Sequence, residues 1–450
     1  EQFFHLVEAF DFAFLVVSGR ILDLLKSLRM SEVRWDLLEA ESMPAVTIIA
    51  PAYNEGATIE ASLRSMLQIE YPALRIIVVN DGSKDDTLAV LRAAFDLEPL
   101  SVHVPELIPH KKVREVLCSS EDPRLWVVDK DNGGKADALN AGIDLAETPL
   151  VCCVDADTII EREAIMRMVE PFVFSEVPVL AVGGSIRIAN GCRFDRGQLV
   201  EQSLPRGFLP RMQVLEYLRA FLFFRLGLGR FNGNIIISGA LGMFKRSAVL
   251  DVGGYDPNTV GEDIEIVTRM HRVYRAAKRS YLIEFRPDAC GYTEAPEDWS
   301  ILGRQRDRWQ RGLLETLMRH GGLKDPLGGA VGWFTIPFHW LFEVMSPLAH
   351  LFGIVWVAAS LVSGRADPGI LALVSCLGVL SALTLSLHAL ILDELDQRAI
   401  RGHGSRFRLA EPIFYQPIIS LFRLRGMWKW LRGEGGWGKM TRKGFAGSRS

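Results

Sequence analysis

Between Met43 and Val182 the chain carries five short apolar runs rich in β-branched residues: Val46–Ile49, Ile76–Val79, Trp126–Val128, Leu150–Val154 and Val179–Val182. Runs of this length, with no polar residue at alternate positions, suit strands buried on both faces of a sheet. Helical patterns separate several of them. Ile59, Leu63, Met66 and Leu67 recur at i, i+4, i+7 and i+8, and Leu88–Phe95 and Ala136–Leu145 are built from good helix formers. Repeated strand–helix–strand units of this kind cross over right-handed and wind into a doubly wound α/β sheet, whose ligands lie beyond the carboxyl ends of the strands.

The first four runs lead into polar or acidic residues. The first is followed by Pro51-Ala52-Tyr53-Asn54-Glu55-Gly56 and the second by Asn80-Asp81-Gly82-Ser83. The third leads into Asp129-Lys130-Asp131-Asn132-Gly133-Gly134-Lys135, and the fourth into Asp155-Ala156-Asp157. Taken singly, each has a plain alternative, since Asn-Asp-Gly-Ser makes a good turn by composition alone. Turns need Gly and Asn, but they do not need an acid at the end of three strands and a lysine in a glycine loop. Binding of a sugar nucleotide does. Asp81 can accept hydrogen bonds from a base or ribose, Lys135 can reach phosphate oxygens, and Asp155 and Asp157 can hold a divalent cation bridging a diphosphate. Oxygen ligands point to Mg2+ or Mn2+ rather than zinc. Further on, Gly261-Glu262-Asp263 opens a helical stretch, where acids often serve only as caps or dipole partners. Gln305-Arg306-Asp307-Arg308-Trp309 precedes an apolar region, where a tryptophan is often only an interfacial anchor.

Composition excludes other classes. The 450 residues hold 51 Lys+Arg against 54 Asp+Glu, so the chain lacks the basic excess of a nucleic-acid binder. Its six cysteines form no CxxC pairs, which argues against a disulfide scaffold or zinc module and for reduced thiols. A hydrophobic fraction of 49% beside 23% charged residues indicates a soluble part and a lipid-facing part. Phe3–Leu25 is apolar but carries Glu8, Asp11, Arg20 and Asp23, and reads as an interfacial helix or the tail of a truncated span. Val331–Val362 is interrupted by Pro337, His339, Glu343, Pro347 and His350. We expect an interfacial helix to about Met345 and a membrane span after Pro347. Gly369–Leu392 is a cleaner span, Pro412–Phe422 is half a span, and Arg423, Arg425, Lys429, Arg432, Lys439, Arg442 and Lys443 follow. A hairpin of two spans would leave the sheet domain, the loop 393–408 and the basic tail on the cytoplasmic side. The expected division is therefore a terminal segment 1–40, a catalytic domain 41–326, a membrane region 327–425 and a basic tail 426–450.

As an ordered set, Asp81, Asp155-Ala156-Asp157, Gly261-Glu262-Asp263 and Gln305-x-x-Arg308-Trp309 resemble the family 2 inverting glycosyltransferases of GT-A fold. The similarity is to their membrane-embedded branch, the cellulose, hyaluronan and poly-N-acetylglucosamine synthases, and runs from about Val46 to Gly312. The resemblance implies a UDP-sugar donor, bound by Asn54, Glu55, Asp81, Lys135, Asp155 and Arg308. Within that set Asp81 would contact the uridine, and Lys135 and Arg308 the diphosphate. Asp157, with Asp155, would hold Mg2+ or Mn2+, and Asp263 would be the catalytic base. Ser238, Gly239, Glu262, Gln305 and Trp309 would meet a glycan or glycolipid acceptor, with Trp309 stacked on a sugar. Gly261 stands where many members have Thr. The segment Ile188–Asn234, with amphipathic Val214–Leu226, has no motif; it lies either on the membrane surface or under the acceptor channel. The implied whole is an integral protein of a bacterial inner membrane, catalytic domain inside, that extends a β-linked polysaccharide with no role for nucleic acid. Export or assembly subunits would add helices to the few found here. The alternatives are a single transfer to a ceramide or polyprenyl-phosphate type of lipid, and a non-catalytic nucleotide-sensing or partner-docking protein.

Overall fold

The computed structural model describes residues 43–195, 198–320, 329–364 and 410–434, with scattered positions between 367 and 386. The expected segment 1–40, most of the second span Gly369–Leu392, the loop 393–408 and the tail from 435 onward lie outside the described residues. Within them the five apolar runs all form strands. These are β1 (Val46–Ala52), β2 (Leu74–Asn80), β5 (Leu125–Lys130), β6 (Leu150–Cys153) and β8 (Val179–Ile188). Beside them run β3 (Leu97–Pro99), β4 (Val113–Ser119), β7 (Ile159–Ile160), β11 (Gly242–Lys245) and β12 (Leu282–Thr293). Together they make one ten-stranded mixed sheet in the order β3-β4-β5-β2-β1-β6-β11-β8-β12-β7. A separate ribbon pairs β9 (Arg193–Asp195) with β10 (Gln198–Glu201).

β1 pairs in parallel with β2 on one side and β6 on the other, and β2 with β5. Strand order therefore reverses at β1, the switch point where an open α/β sheet leaves a crevice. Beyond β6 the sheet turns mixed, because β11 runs antiparallel to both β6 and β8. Side chains alternate between two cores. Ile48, Ile76 and Val78 face α1 (Ile59–Leu67), α2 (Thr87–Phe95), α4 (Ala164–Phe174) and α5 (Phe208–Leu218). Ile49, Ile77 and Val79 face α3 (Lys135–Leu145), α6 (Arg246–Asp251) and α7 (Glu262–Ala276). Both faces are covered, which accounts for the lack of polar residues within the central strands.

α8 (Trp299–His320) carries the Gln305–Trp309 string. It packs against α7 through a glycine contact: a Cβ on Gly261 would lie 2.9 Å from Gly312 Cα, and one on Gly312 2.8 Å from Gly261 Cα. This explains why glycine, not threonine, stands at 261 in this chain: a larger side chain would push α8 off the start of α7.

The C-terminal part corrects two expectations. No break occurs at Pro347: one helix, α9, runs from Val331 to Val362. It includes π-helical turns at Val331–Thr335 and His339–Val344. Pro347 falls in the first turn of the regular stretch Met345–Val362, where the missing N–H costs least. By length and composition α9 can cross a bilayer, and its Phe352, Ile354, Val355 and Trp356 are exposed. The half-span Pro412–Phe422 likewise does not end there. It leads from a π-helical turn, Glu411–Tyr415, into α10 (Gln416–Leu431), so residues 426–431 belong to a packed helix rather than a tail. Gly426 lets α10 approach α8 closely, since a Cβ there would sit 2.7 Å from the Asp307 carbonyl oxygen.

Candidate active site

At the carboxyl end of β2, Asp81 is 3% exposed and both its carboxylate oxygens are occupied. Oδ1 accepts from Lys130 Nζ at 2.6 Å and the Gly133 N–H at 3.0 Å; Oδ2 accepts from the Gly134 N–H at 2.7 Å and Asn132 Nδ2 at 3.1 Å. Four acceptor positions filled this way make Asp81 the organiser of the glycine loop that ends β5 and opens α3. Gly134, with φ +91°, completes the turn in a conformation other residues rarely adopt. Asn54, also left-handed at φ +56°, accepts the Lys84 N–H at 2.8 Å. The Glu55 N–H donates to Thr87 Oγ1 at 2.9 Å, tying the loops after β1 and β2 together.

The loop delivers Lys135 to the end of β6. Its ammonium lies 2.6 Å from Asp155 Oδ1 and 3.1 Å from Glu262 Oε1. Burial alone would depress its pKa, but Asp155 and Glu262 hold it above the ordinary lysine value, so the site keeps a fixed positive charge. Burial pushes the Glu262 carboxyl up; Lys135 opposes this and neighbouring Asp263 adds to it. Gly239 is small for a reason the sequence did not disclose: a Cβ there would meet Lys135 Nζ at 2.6 Å. Asp263 sits in the first turn of α7, its Oδ1 accepting the Ile264 N–H at 2.9 Å.

These groups share one cavity of about 1100 Å3. Lys135, Asp155, Asp157, Ser238, Gly239, Glu262, Asp263, Gln305, Arg308 and Trp309 all line it, so ten of the residues singled out from the sequence converge. Asn54, Glu55 and Asp81 lie off it, along the loops beside the glycine turn. Trp309 is 44% exposed, its ring 6.4 Å from Tyr217 and 4.2 Å from the Arg306 guanidinium. The cavity extends along α9, past Phe338, Phe342 and Ile354. The segment without a motif also lines it: α5 continues as π-helical turns Arg219–Arg225, which contribute Phe221 and Arg225 to the wall. Glu216, Tyr217 and Phe224 of the same segment also border the cavity.

Two groups escaped the sequence reading. Glu216 accepts from buried Arg306 at 2.6 Å and from the Tyr415 hydroxyl at 2.7 Å, locking α5 and α8 to the π-helical turn that precedes α10. Asp307 accepts from Arg311 Nε at 3.1 Å and Lys429 Nζ at 2.6 Å, with Arg425 Nε at 3.3 Å. Neither local sequence reveals Arg306 and Tyr415 as partners of Glu216, or Arg425 and Lys429 as partners of Asp307, because they come from segments far along the chain.

Among the described residues no three His, Cys, Asp or Glu side chains gather as a metal cage. Asp155 and Asp157 on the cavity wall nevertheless fit Mg2+ or Mn2+, hard ions that are commonly held by one or two carboxylates and completed by substrate phosphates.

Residues 47–253 match the family model for glycosyl transferase family 2. This stretch is similar to a family 2 glycosyltransferase domain. The poly-beta-1,6-N-acetyl-D-glucosamine synthase of Staphylococcus aureus (strain COL) is 32% identical over 295 residues, covering 64% of this chain and 60% of the relative. The same-named synthase of Staphylococcus epidermidis is 31% identical over 286 residues, 62% of this chain and 57% of that one. The chain thus spans about 60% of the length of these relatives. Among solved structures, a mannosyltransferase of Pyrobaculum calidifontis, in complex with GDP-Man and Mn2+, superposes with a TM-score of 0.57 at 19% identity. The match covers 95% of this chain and 99% of that one, so the two chains share a fold.

Proposed function

We propose that the protein is an inverting, membrane-bound glycosyltransferase that adds sugar from a UDP-sugar to a growing β-linked polysaccharide. The observation that carries this reading is the continuous cavity that joins Asp155, Asp157 and Asp263 to Trp309 and then to the apolar helix α9. A soluble acceptor would not need a channel walled by a lipid-length helix; a chain leaving through the bilayer would. The name of the staphylococcal relatives supports UDP-N-acetylglucosamine as the donor.

In this reading Asp263 takes the proton from an acceptor hydroxyl, which attacks the anomeric carbon in line and inverts it. Lys135 and Arg308 face the diphosphate and balance the charge that develops on departing UDP. Asp155 and Asp157 would hold the divalent cation, which when bound stabilises that same leaving group. Trp309 offers an aromatic face to the C–H side of the acceptor pyranose. Asp81, fully engaged within the protein, positions the glycine loop and through it Lys135.

The test is UDP release by the full chain in membranes, across a panel of UDP-sugars with Mg2+ or Mn2+, with products sized on a gel. We expect release with one donor, lost on chelation, and long chains. A short glycolipid would replace polymer extension with single transfer, and no release with any donor would overturn the catalytic reading.

A further inference from the structure

Arg225 ends the π-helical turns Arg219–Arg225, a geometry that often marks functional positions. Its guanidinium stacks on Phe221, 3.8 Å from the ring centroid, and lines the cavity that Asp263 also lines. Nη1 is buried and has no hydrogen-bond partner among the described residues. Burial pushes the guanidinium down to about 10, against the pull of nearby Asp263, so it stays charged at neutral pH. A buried donor without an acceptor is costly in a protein interior and calls for an oxygen from outside the chain. Other cations of the wall are already committed: Lys135 to Asp155 and Glu262, Arg306 to Glu216, Arg219 to Glu411 and Arg423 to Glu343.

The surroundings narrow the class of oxygen. An anion at Arg225 would lie in the field of Asp263, with Glu262 and Asp155 on the same wall, and would be repelled. A neutral carbonyl oxygen meets no such opposition. Phe221, Phe224 and Phe338 supply an apolar side, with Phe224 and Phe338 rings 5.6 Å apart, that suits a methyl group. We infer that Arg225 forms an acceptor subsite, donating a hydrogen bond to the acetamido carbonyl of the acceptor's terminal sugar while Asp263 faces the hydroxyl to be glycosylated. This rests on the transfer reading above and adds acceptor selectivity to it.

The test compares acceptor oligomers bearing acetamido groups with matched oligomers lacking them. It uses UDP-N-acetylglucosamine as donor and the full chain in lipid nanodiscs. In Arg225→Met we expect the acceptor KM for acetamido oligomers to rise about tenfold or more, as befits one lost charge-assisted hydrogen bond, with the donor KM retained. The preference for acetamido oligomers should disappear, and Arg225→Lys should restore it in part. An unchanged acceptor KM and preference in an active Arg225→Met enzyme would overturn the subsite alone. A wild-type enzyme that turns over the donor yet shows no preference between the oligomers would also overturn it, and one with no transfer to any acceptor would sink the transfer reading itself. If Arg225→Met does not accumulate, Arg225→Lys decides by the same preference, which must fall because the planar fork is gone.

Discussion

Asp263→Asn is expected to lower sugar transfer by roughly 10²–10⁴-fold while UDP-sugar binding persists, the pattern of a lost general base. The geometry separates the two effects. Asp263 opens α7, and the Ile264 N–H fixes its carboxylate at 2.9 Å, whereas Lys135, Asp155 and Arg308, the proposed donor contacts, reach the cavity from other elements. An amide keeps the size and the local hydrogen bond but cannot accept the acceptor's proton at neutral pH. Turnover and donor affinity measured on the same preparation check this, and a variant with undiminished transfer would remove Asp263 from the mechanism. Glu262→Gln makes a useful contrast. Glu262 already neutralises Lys135 at 3.1 Å, so its loss should disturb donor binding as well as rate.

The largest effect on stability is expected from Arg306→Met. Arg306 is buried, with its Nη2 2.6 Å from Glu216 and its Nη1 2.6 Å from Gln305 Oε1. Removing it strands a largely buried carboxylate between α5, α8 and the turn before α10, and breaking a buried pair costs about 3–5 kcal/mol. Glu216→Gln combined with Arg306→Met should cost less than the sum of the single changes, because the stranded charge is gone. The pH dependence has a definite sign. Burial pushes the Glu216 carboxyl up, but Arg306 and the Tyr415 hydroxyl more than offset it and hold it below its ordinary 4.5. The pair therefore stabilises the fold above pH 4.5, and that contribution is lost as pH falls through the depressed folded value. In Arg306→Met burial acts with less opposition, so the loss of stability on acidification should shrink, and it reverses once the folded carboxyl rises above its ordinary value. Thermal unfolding of wild type and variants across that range measures both effects.

The strands and the helices between them were legible because burial on both faces writes itself as uninterrupted β-branched runs. Ten candidate residues met in one cavity because ligands gather at strand ends, and strand ends can be found from the runs. What stayed hidden depends on contacts between distant segments. Nothing local to Gly239 reveals the Lys135 ammonium beside it, and nothing in Gly261-Glu262-Asp263 reveals Gly312 against its first residue. Asp81 is expected from its place at a strand end to contact a nucleotide, and the fold adds that its oxygens also accept from Lys130, Asn132, Gly133 and Gly134. A motif fixes which residue stands at a strand end, but not whether its side chain faces ligand or loop. The break expected at Pro347 failed for a related reason: a proline after π-helical turns occupies a new first turn, which sequence spacing does not show.

The central claim is a single in-line displacement governed by Asp263. The most direct measurement is the anomeric configuration of the first product formed from an α-linked UDP-sugar, read by one-bond carbon–proton couplings in NMR. A β-linked product is expected. An α-linked product would require two displacements or a front-side route, and would contradict the assignment of Asp263 as the base of an inverting transfer.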